Sequence, residues 1–177
     1  IEEFSKERGI TVIPEMETPG HAEALLSAYP EFGCTGKEIP VQNNWGVFEN
    51  VMNPSSPELW VFLEKAIAEL ASVFHGPFIH IGGDECPHKQ WEDHQGCRKI
   101  MEEYGLKDTN ELQGWFTSKA SGIVKKYGKR AMGWDEVVDA PSIDKDVVVM
   151  SWRGLDGARK ATARGHNVVL CPENGGC

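Results

Sequence analysis

Five short apolar runs divide the chain into repeating units, and each run is followed by polar residues and then by a helical pattern. The runs are rich in valine and isoleucine and are nearly uninterrupted. This pattern is typical of parallel strands that are buried on both faces. The predicted strands are Ile10–Glu15, Phe78–Gly83, Arg130–Trp134, Val147–Trp152 and Asn167–Pro172.

Helical periodicity fills the segments between these runs. Ser56 is the predicted N-cap of a long helix whose apolar residues recur on one face. A second helix is predicted over Thr109–Lys126, and shorter ones near residues 97–104 and 156–164. The opening residues, "IEEFSKERG", are typical of the end of a helix. Strands that alternate with helices predict βα units and a parallel sheet.

The residues at the strand ends distinguish between an open doubly wound sheet and a (β/α)8 barrel. In an open sheet only one or two strand ends meet at the binding crevice. In a TIM barrel all strand ends converge at the C-terminal face. All five predicted strands end in residues with side-chain chemistry, which favours the barrel. These residues are Glu15, Glu17, Asp84, Glu85, Trp134, Asp135, Glu136, Trp152, Arg153 and Glu173.

The expected architecture is therefore an α/β fold, a (β/α)8 TIM barrel that is present only in part. Five strands cannot close a barrel of eight. Residues 1–177 are accordingly expected to form one partial barrel domain that is truncated at both ends.

Composition and charge exclude several classes of protein and partner. The chain is 40% hydrophobic and 25% charged, which argues for a packed core and against disorder. Its formal net charge of -9 makes nucleic acid and anionic membrane surfaces poor partners. No apolar run approaches the roughly 20 residues of a membrane span.

The cysteines permit a zinc site but do not favour one. An odd number, five, cannot all pair within the chain. Cys86, His88, His94 and Cys97 form a C-x-H-x5-H-x2-C cluster, a spacing that matches no common zinc motif. Free thiols, or one disulfide in an exported protein, are the better interpretation, and no metal site is predicted.

The stretch "FIHIGGDE" presents two adjacent acids, Asp84 and Glu85, after a buried strand and two glycines. The glycines are expected to let a ligand approach the backbone. Two neighbouring carboxyl groups raise each other's proton affinity, so the one in the drier site holds its proton nearer neutral pH. The pair thereby separates into an acid and an anion. An Asp-Glu turn that caps the next helix remains the structural alternative.

One histidine and two tryptophans join this acid pair at other predicted strand ends. His21 follows the sharp turn in "ETPGH", where it can hydrogen-bond to Glu85 and tune its acidity. Trp134 and Trp152 each end a strand, and indole faces stack on the apolar faces of sugar rings. Aromatic walls beside a carboxylate pair favour a sugar-cleaving site.

Four motifs, "PGHA", "HIGGDE", "GWDE" and "SWRG", resemble glycoside hydrolase family 20, the β-N-acetylhexosaminidases, in order and spacing. The resemblance covers residues 10–172 and implies a catalytic barrel of which this chain holds about strands three to seven. It also implies hydrolysis of terminal non-reducing N-acetyl-β-hexosamine residues by a retaining, substrate-assisted mechanism. No cofactor is implied, and the implied partners are glycans that end in N-acetylglucosamine or N-acetylgalactosamine. A periplasmic or secreted location is favoured for the parent protein.

The resemblance assigns roles to individual residues. Glu85 matches the general acid and base, Asp84 the group that orients the substrate's acetamide, and His21 the histidine that bonds to the acid. Trp134, Trp152 and Asp135 are predicted to bind the substrate. The family often has aspartate where this chain has Glu17, which leaves the role of Glu17 open.

The resemblance also predicts an incomplete site, because a tyrosine, an arginine and a tryptophan of the family's site find no match in this chain. The isolated chain is therefore expected to be inactive and to self-associate through open sheet edges. Two alternatives remain open: another glycosidase or amidohydrolase on the same barrel, and an inert sugar-binding fragment.

Overall fold

Five parallel strands form one sheet in which the spatial order follows the order along the chain. In this computed structural model residues 1–171 are described. Every neighbouring pair of strands is parallel. A doubly wound sheet reverses its strand order at a switch point, whereas a barrel adds each new strand on the same side. The described sheet is therefore a segment of an α/β barrel, as predicted. The strands are β1 Glu15–Thr18, β2 Phe78–Gly82, β3 Arg130–Trp134, β4 Val148–Ser151 and β5 Val168–Leu170.

Seven α-helices and two short 3-10 helices connect the described strands. The α-helices are α1 Glu2–Lys6, α2 Glu23–Ala28, α3 Pro57–Val73, α4 Lys89–Asp93, α5 Gln95–Tyr104, α6 Thr109–Lys126 and α7 Leu155–Ala163. The 3-10 helices are Pro30–Phe32 and Asp135–Asp139. Within residues 1–171, no helix has the length and apolar character that crossing a membrane requires.

The caps explain why the two long helices begin where the sequence predicted. The Ser56 hydroxyl accepts the Leu59 N–H at 3.2 Å, which satisfies one free donor at the start of α3. The Asp108 carboxylate does the same for the Glu111 N–H at 2.9 Å in α6. Leu59, Leu63 and Ile67 then fall four residues apart on the inner face of α3 and are completely buried. Burial of each such side chain stabilises the fold by about 1.5–3 kcal/mol.

The first strand lies further along the chain than predicted. The apolar run Ile10–Glu15 is not a strand: β1 begins at Glu15, although the Pro14 carbonyl already accepts the His80 N–H at 2.9 Å. Proline has no N–H to donate, so pairing on that strand develops only after Pro14. The prediction of a strand over Ile10–Glu15 followed hydrophobicity and was wrong in its bounds.

The last strand is confirmed in place but is shorter than predicted. The strand expected over Asn167–Pro172 is β5, Val168–Leu170. Glu173, the acid expected at its end, lies outside the described residues, as does Cys177.

Candidate active site

The turn after β2 is shaped by two glycines that neighbouring side chains crowd. Gly82 has φ of 71° and Gly83 has φ of 104°, values that side-chain-bearing residues rarely adopt. A Cβ on Gly82 would lie 2.3 Å from Glu17 Oε2, and one on Gly83 would lie 2.4 Å from Val137 Cγ1. The sequence predicts that a ligand approaches these glycines closely. In the structure the side chains of Glu17 and Val137 occupy that space.

His21, Asp84 and Glu85 meet where β1 and β2 end. His21 Nε2 lies 3.3 Å from Asp84 Oδ2 and 3.3 Å from Glu85 Oε2. His21 and Glu85 have φ of 47° and 43°, in the left-handed region. Such backbone costs on the order of 1–3 kcal/mol and recurs at functional sites, where the surrounding fold enforces it. The structure thus brings together the three side chains for which the sequence predicted catalytic roles.

Burial alone does not mark Glu85 as the proton donor of the pair. The Asp84 side chain is 18% exposed and that of Glu85 is 42% exposed, so Asp84 occupies the drier position. Glu85 instead reaches a cavity of about 390 Å³ that Asp84 does not line. Access to this cavity, rather than desolvation, distinguishes Glu85 within the pair.

The cavity joins Glu85 to the end of β4. Trp152, Glu136 and Arg153 are among its lining residues. The Trp152 indole donates from Nε1 to Glu136 Oε2 at 3.0 Å, which fixes the orientation of the ring. Burial raises the pKa of Glu136 to about 7. Glu136 was noted in the sequence as a strand-end acid, and its contact with Trp152 adds it to the site.

Trp134 lies apart from this cavity, beside β1 and β2. Its Nε1 donates to Glu15 Oε1 at 2.9 Å, and its ring centroid lies 4.7 Å from that of His80. His80 is only 2% exposed, and its Nδ1 is 3.0 Å from the same Glu15 oxygen. The sequence did not single out His80, because a histidine inside the apolar run "FIHIG" is indistinguishable from a packing residue.

Asp135 does not face the cavity, although the sequence suggested that it binds substrate. Its side chain is fully buried, and its Oδ1 lies 2.7 Å from Arg153 Nε. Its Oδ2 accepts the Ser151 hydroxyl at 3.1 Å. The Asp135 carboxylate therefore links the ends of β3 and β4.

Glu15, Glu17 and Asp84 form a group of interacting carboxyl groups where β1 and β2 end. Hydrogen bonding to His80 lowers the pKa of Glu15 to about 2. Burial, together with the charge of Asp84, raises the pKa of Glu17 to about 9. The pKa values of Glu15 and Glu17 are thus shifted in opposite directions, and that of Glu17 lies above neutral pH.

Both histidines of the zinc alternative are engaged elsewhere. His88 Nε2 lies 2.8 Å from Gln113 Oε1, and His94 caps α5 by accepting the Cys97 N–H. Across residues 1–171, the one group whose donor atoms lie within 4.8 Å of one another, as a metal would require, is His21, Asp84 and Glu85.

Comparison with known proteins identifies the family of this site. Residues 1–175 match glycosyl hydrolase family 20, catalytic domain. A beta-hexosaminidase of Porphyromonas gingivalis is 42% identical over 176 residues, which cover 99% of this chain and 22% of the relative. A beta-hexosaminidase of Vibrio furnissii is 36% identical over 170 residues, with 96% and 28% covered.

Solved structures agree with the sequence relatives. The chain superposes on a chitobiase of Flavobacterium johnsoniae with a TM-score of 0.89 and 33% identity, over 96% of this chain and 27% of that one. A beta-N-acetylhexosaminidase gives a TM-score of 0.91 and 31% identity, over 97% and 37%. This chain thus spans between about a fifth and somewhat more than a third of the length of these proteins. It belongs to glycosyl hydrolase family 20 and lies within the catalytic domain of that family.

Proposed function

We propose that the protein carrying this chain hydrolyses terminal non-reducing N-acetyl-β-hexosamine residues with retention of configuration. The observation that carries the proposal is the convergence of two carboxylates on one imidazole: His21 Nε2 lies 3.3 Å from both Asp84 and Glu85. Membership of glycosyl hydrolase family 20 supports this assignment, as do the beta-hexosaminidases among the relatives.

In this proposal Glu85 is the general acid and then the general base. It is the member of the pair that reaches the cavity, so it can touch a leaving oxygen. In the first step it protonates that oxygen as the glycosidic bond breaks, and in the second it removes a proton from the attacking water. His21 is within hydrogen-bonding range of its carboxylate and orients it through both steps.

Asp84 orients and stabilises the acetamido group, which is the substrate's own nucleophile. The acetamido carbonyl of the sugar attacks the anomeric carbon and forms a cyclic oxazolinium-type intermediate, as in other substrate-assisted glycosidases. Positive charge develops on the acetamido nitrogen, and the Asp84 carboxylate accepts its N–H and stabilises that charge. The chemistry is supplied by side chains and substrate, so the proposal includes neither a cofactor nor a metal.

In this proposal the sugar packs against Trp152, which lines the cavity, and extends towards Trp134, which lies outside it. Trp152 is oriented by Glu136 and lines the same cavity as Glu85. Trp134 is held by Glu15 at the neighbouring strand end. Asp135 contributes to substrate binding indirectly, because its carboxylate positions Arg153 and the chain that carries Trp152.

The glycan partners follow from this chemistry. They are glycans that end in N-acetylglucosamine or N-acetylgalactosamine, since both sugars carry the acetamido group that the mechanism needs.

The deciding experiment compares two aryl glycosides with the full-length protein that carries these residues. One is an aryl N-acetyl-β-glucosaminide and the other is the aryl β-glucoside with hydroxyl in place of acetamido. We expect turnover of the first alone, with the β-anomer as the initial product by proton NMR. Comparable turnover of both substrates would indicate a conventional enzymic nucleophile, and turnover of neither would leave only a sugar-binding role.

A further inference from the structure

Glu17 lies at an irregularity in the pairing of β1 with β2. Glu15 is paired with His80, and Thr18 with Gly82. Met16 and Glu17 therefore oppose the single residue Ile81, which is the arrangement of a β-bulge. The Thr18 hydroxyl donates to the Ile81 carbonyl at 2.7 Å and satisfies an acceptor that the bulge takes out of the ladder. Bulges beside active sites re-aim side chains, and this one lies one strand from Asp84.

The Glu17 carboxyl group occupies the space that a side chain at position 82 would fill. The position that a Cβ of Gly82 would take is 2.3 Å from Glu17 Oε2. Any other residue at position 82 would expel this oxygen. The carboxyl group is thereby held against the end of β2, two residues before Asp84.

Two carboxylate oxygens in this region are buried without a conventional hydrogen-bond donor. They are Glu17 Oε2 and Asp84 Oδ1, two of only four such side-chain atoms in residues 1–171. A buried carboxylate oxygen without a donor is costly, and two neighbouring anions are costlier still. Both costs disappear if one carboxyl group is protonated and donates to the other.

The charges around the pair decide which carboxyl group keeps the proton. Asp84 lies 3.3 Å from His21 Nε2, and Glu15 lies 3.0 Å from His80 Nδ1, so each of these carboxylates has an imidazole partner. Glu17 interacts with both Asp84 and Glu15, and no ion pair of Glu17 is found among residues 1–171. Its pKa is raised to about 9 by burial and by the charge of Asp84.

We propose that Glu17 is a positioning residue for Asp84: a neutral carboxylic acid that donates a hydrogen bond to Asp84 and holds it as an oriented anion. This inference rests on the proposed function for its catalytic meaning. It gives a hydrogen-bond donor to Asp84, the drier member of the acid pair, whose Oδ1 is otherwise buried without a partner. The proton is placed on Glu17 and not on Asp84, because Asp84 must accept the acetamido N–H of the substrate.

The first test measures the proton directly and does not depend on turnover. Glutamate side chains of the full-length protein are labelled with 13C at Cδ, and the Glu17 signal is assigned by its absence in Glu17→Gln. We expect the Glu17 signal to remain that of the protonated acid at pH 7 and to titrate near pH 9. Titration near the ordinary value of about 4.3 would overturn the proposal.

The second test follows kcat against pH with an aryl N-acetyl-β-glucosaminide whose leaving group needs no protonation, so that ionisation of Glu85 does not limit the first step. In the wild type, kcat should fall as Glu17 ionises, because Asp84 then faces a second anion. Glu17→Gln keeps a donor at every pH, so it should retain kcat within about threefold at pH 7 and lack this fall. Glu17→Leu has no donor and should lose about 10–100-fold at every pH.

The exposed Glu31→Gln serves as the control and should reproduce the wild-type profile. An alkaline fall that persists unchanged in Glu17→Gln, or a Glu17→Leu variant as active as wild type, would contradict the role. If the wild type turns over no hexosaminide while NMR shows Glu17 protonated, the proposed function fails and the proton assignment stands.

Discussion

Arg153 Nε lies 2.7 Å from Oδ1 of Asp135, a carboxylate that is completely buried. Arg153 itself is 42% exposed, so the two partners of this ion pair lie in different environments. The pair joins the residue after β3 to a residue just after β4. It therefore fixes the relative position of the two strand ends that carry Trp134 and Trp152.

Removal of either partner of this pair should destabilise the protein, but by different amounts. Arg153→Met leaves a buried anion without its cation, which we expect to cost about 3–5 kcal/mol. Asp135→Asn leaves a guanidinium that water can still reach, so we expect a smaller loss of about 1.5–3 kcal/mol. Urea unfolding of both variants measures the difference, and the reverse ranking would contradict this account of the pair.

Glu85→Gln should separate acid catalysis from the rest of the mechanism. In the full-length protein, the rate should fall by roughly 10²–10⁴-fold for a substrate with a poor leaving group. The loss should be smaller for a leaving group that needs no proton. Steady-state rates over a series of aryl N-acetyl-β-glucosaminides provide the measurement. Wild-type activity on every member of the series would remove Glu85 from the mechanism.

Asp84→Asn should impair even activated substrates. The carboxylate stabilises the cyclic intermediate itself, so its loss should cost about 10²–10³-fold whatever the leaving group. A cyclic thiazoline that mimics this intermediate should inhibit the wild type strongly and Asp84→Asn weakly. Inhibition constants for the two proteins are the measurement. Equal constants would argue for a nucleophile supplied by the enzyme.

Much of this fold could be predicted because local signals and tertiary structure agree. The bounds of α6 match the prediction, since Asp108 supplies a cap and the apolar face continues to the end of the helix. The strand β3 also has its predicted bounds, because "RAMGW" is an apolar run bordered by polar residues. The strand ends then placed His21, Asp84 and Glu85 together.

Other features depended on contacts that no local pattern contains. The bulge in β1 is a mismatch in its pairing with β2, which the hydrophobic pattern of the first strand does not reveal. The burial of Asp135 depends on Arg153, eighteen residues away. The raised pKa of Glu17 depends on burial and on the charge of Asp84, a residue that becomes its neighbour only after folding.

Acid should destabilise the protein partly through Glu15. Its pKa is lowered from 4.5 to about 2, chiefly by hydrogen bonding to His80. A carboxyl group with a lowered pKa stabilises the fold above its unfolded value, and this contribution is lost as pH falls from about 4.5 towards 2. Glu15→Gln should therefore show a shallower fall of thermal stability across that range than the wild type. Parallel curves for the two proteins would contradict this role.

Glu17 should act with the opposite sign. Its pKa is raised from 4.5 to about 9, so its contribution to stability is complete below about 4.5 and is lost as pH rises to 9. Glu17→Gln should flatten that part of the curve, whereas Glu31→Gln should leave the whole curve unchanged. Differential scanning calorimetry of the wild type, Glu17→Gln and Glu31→Gln from pH 3 to pH 9 measures this effect.

The 177-residue chain on its own should self-associate and show little or no turnover. In the described sheet β1 pairs only with β2, and β5 pairs only with β4. Val169 and Leu170 of β5 are 41% and 46% exposed, and an apolar edge of this kind pairs readily with another chain. Val169→Lys places a charge on that edge and should shift the sedimentation distribution towards monomer. A wild-type chain that sediments as a monomer and matches the full-length protein in turnover would show that neither edge needs a partner.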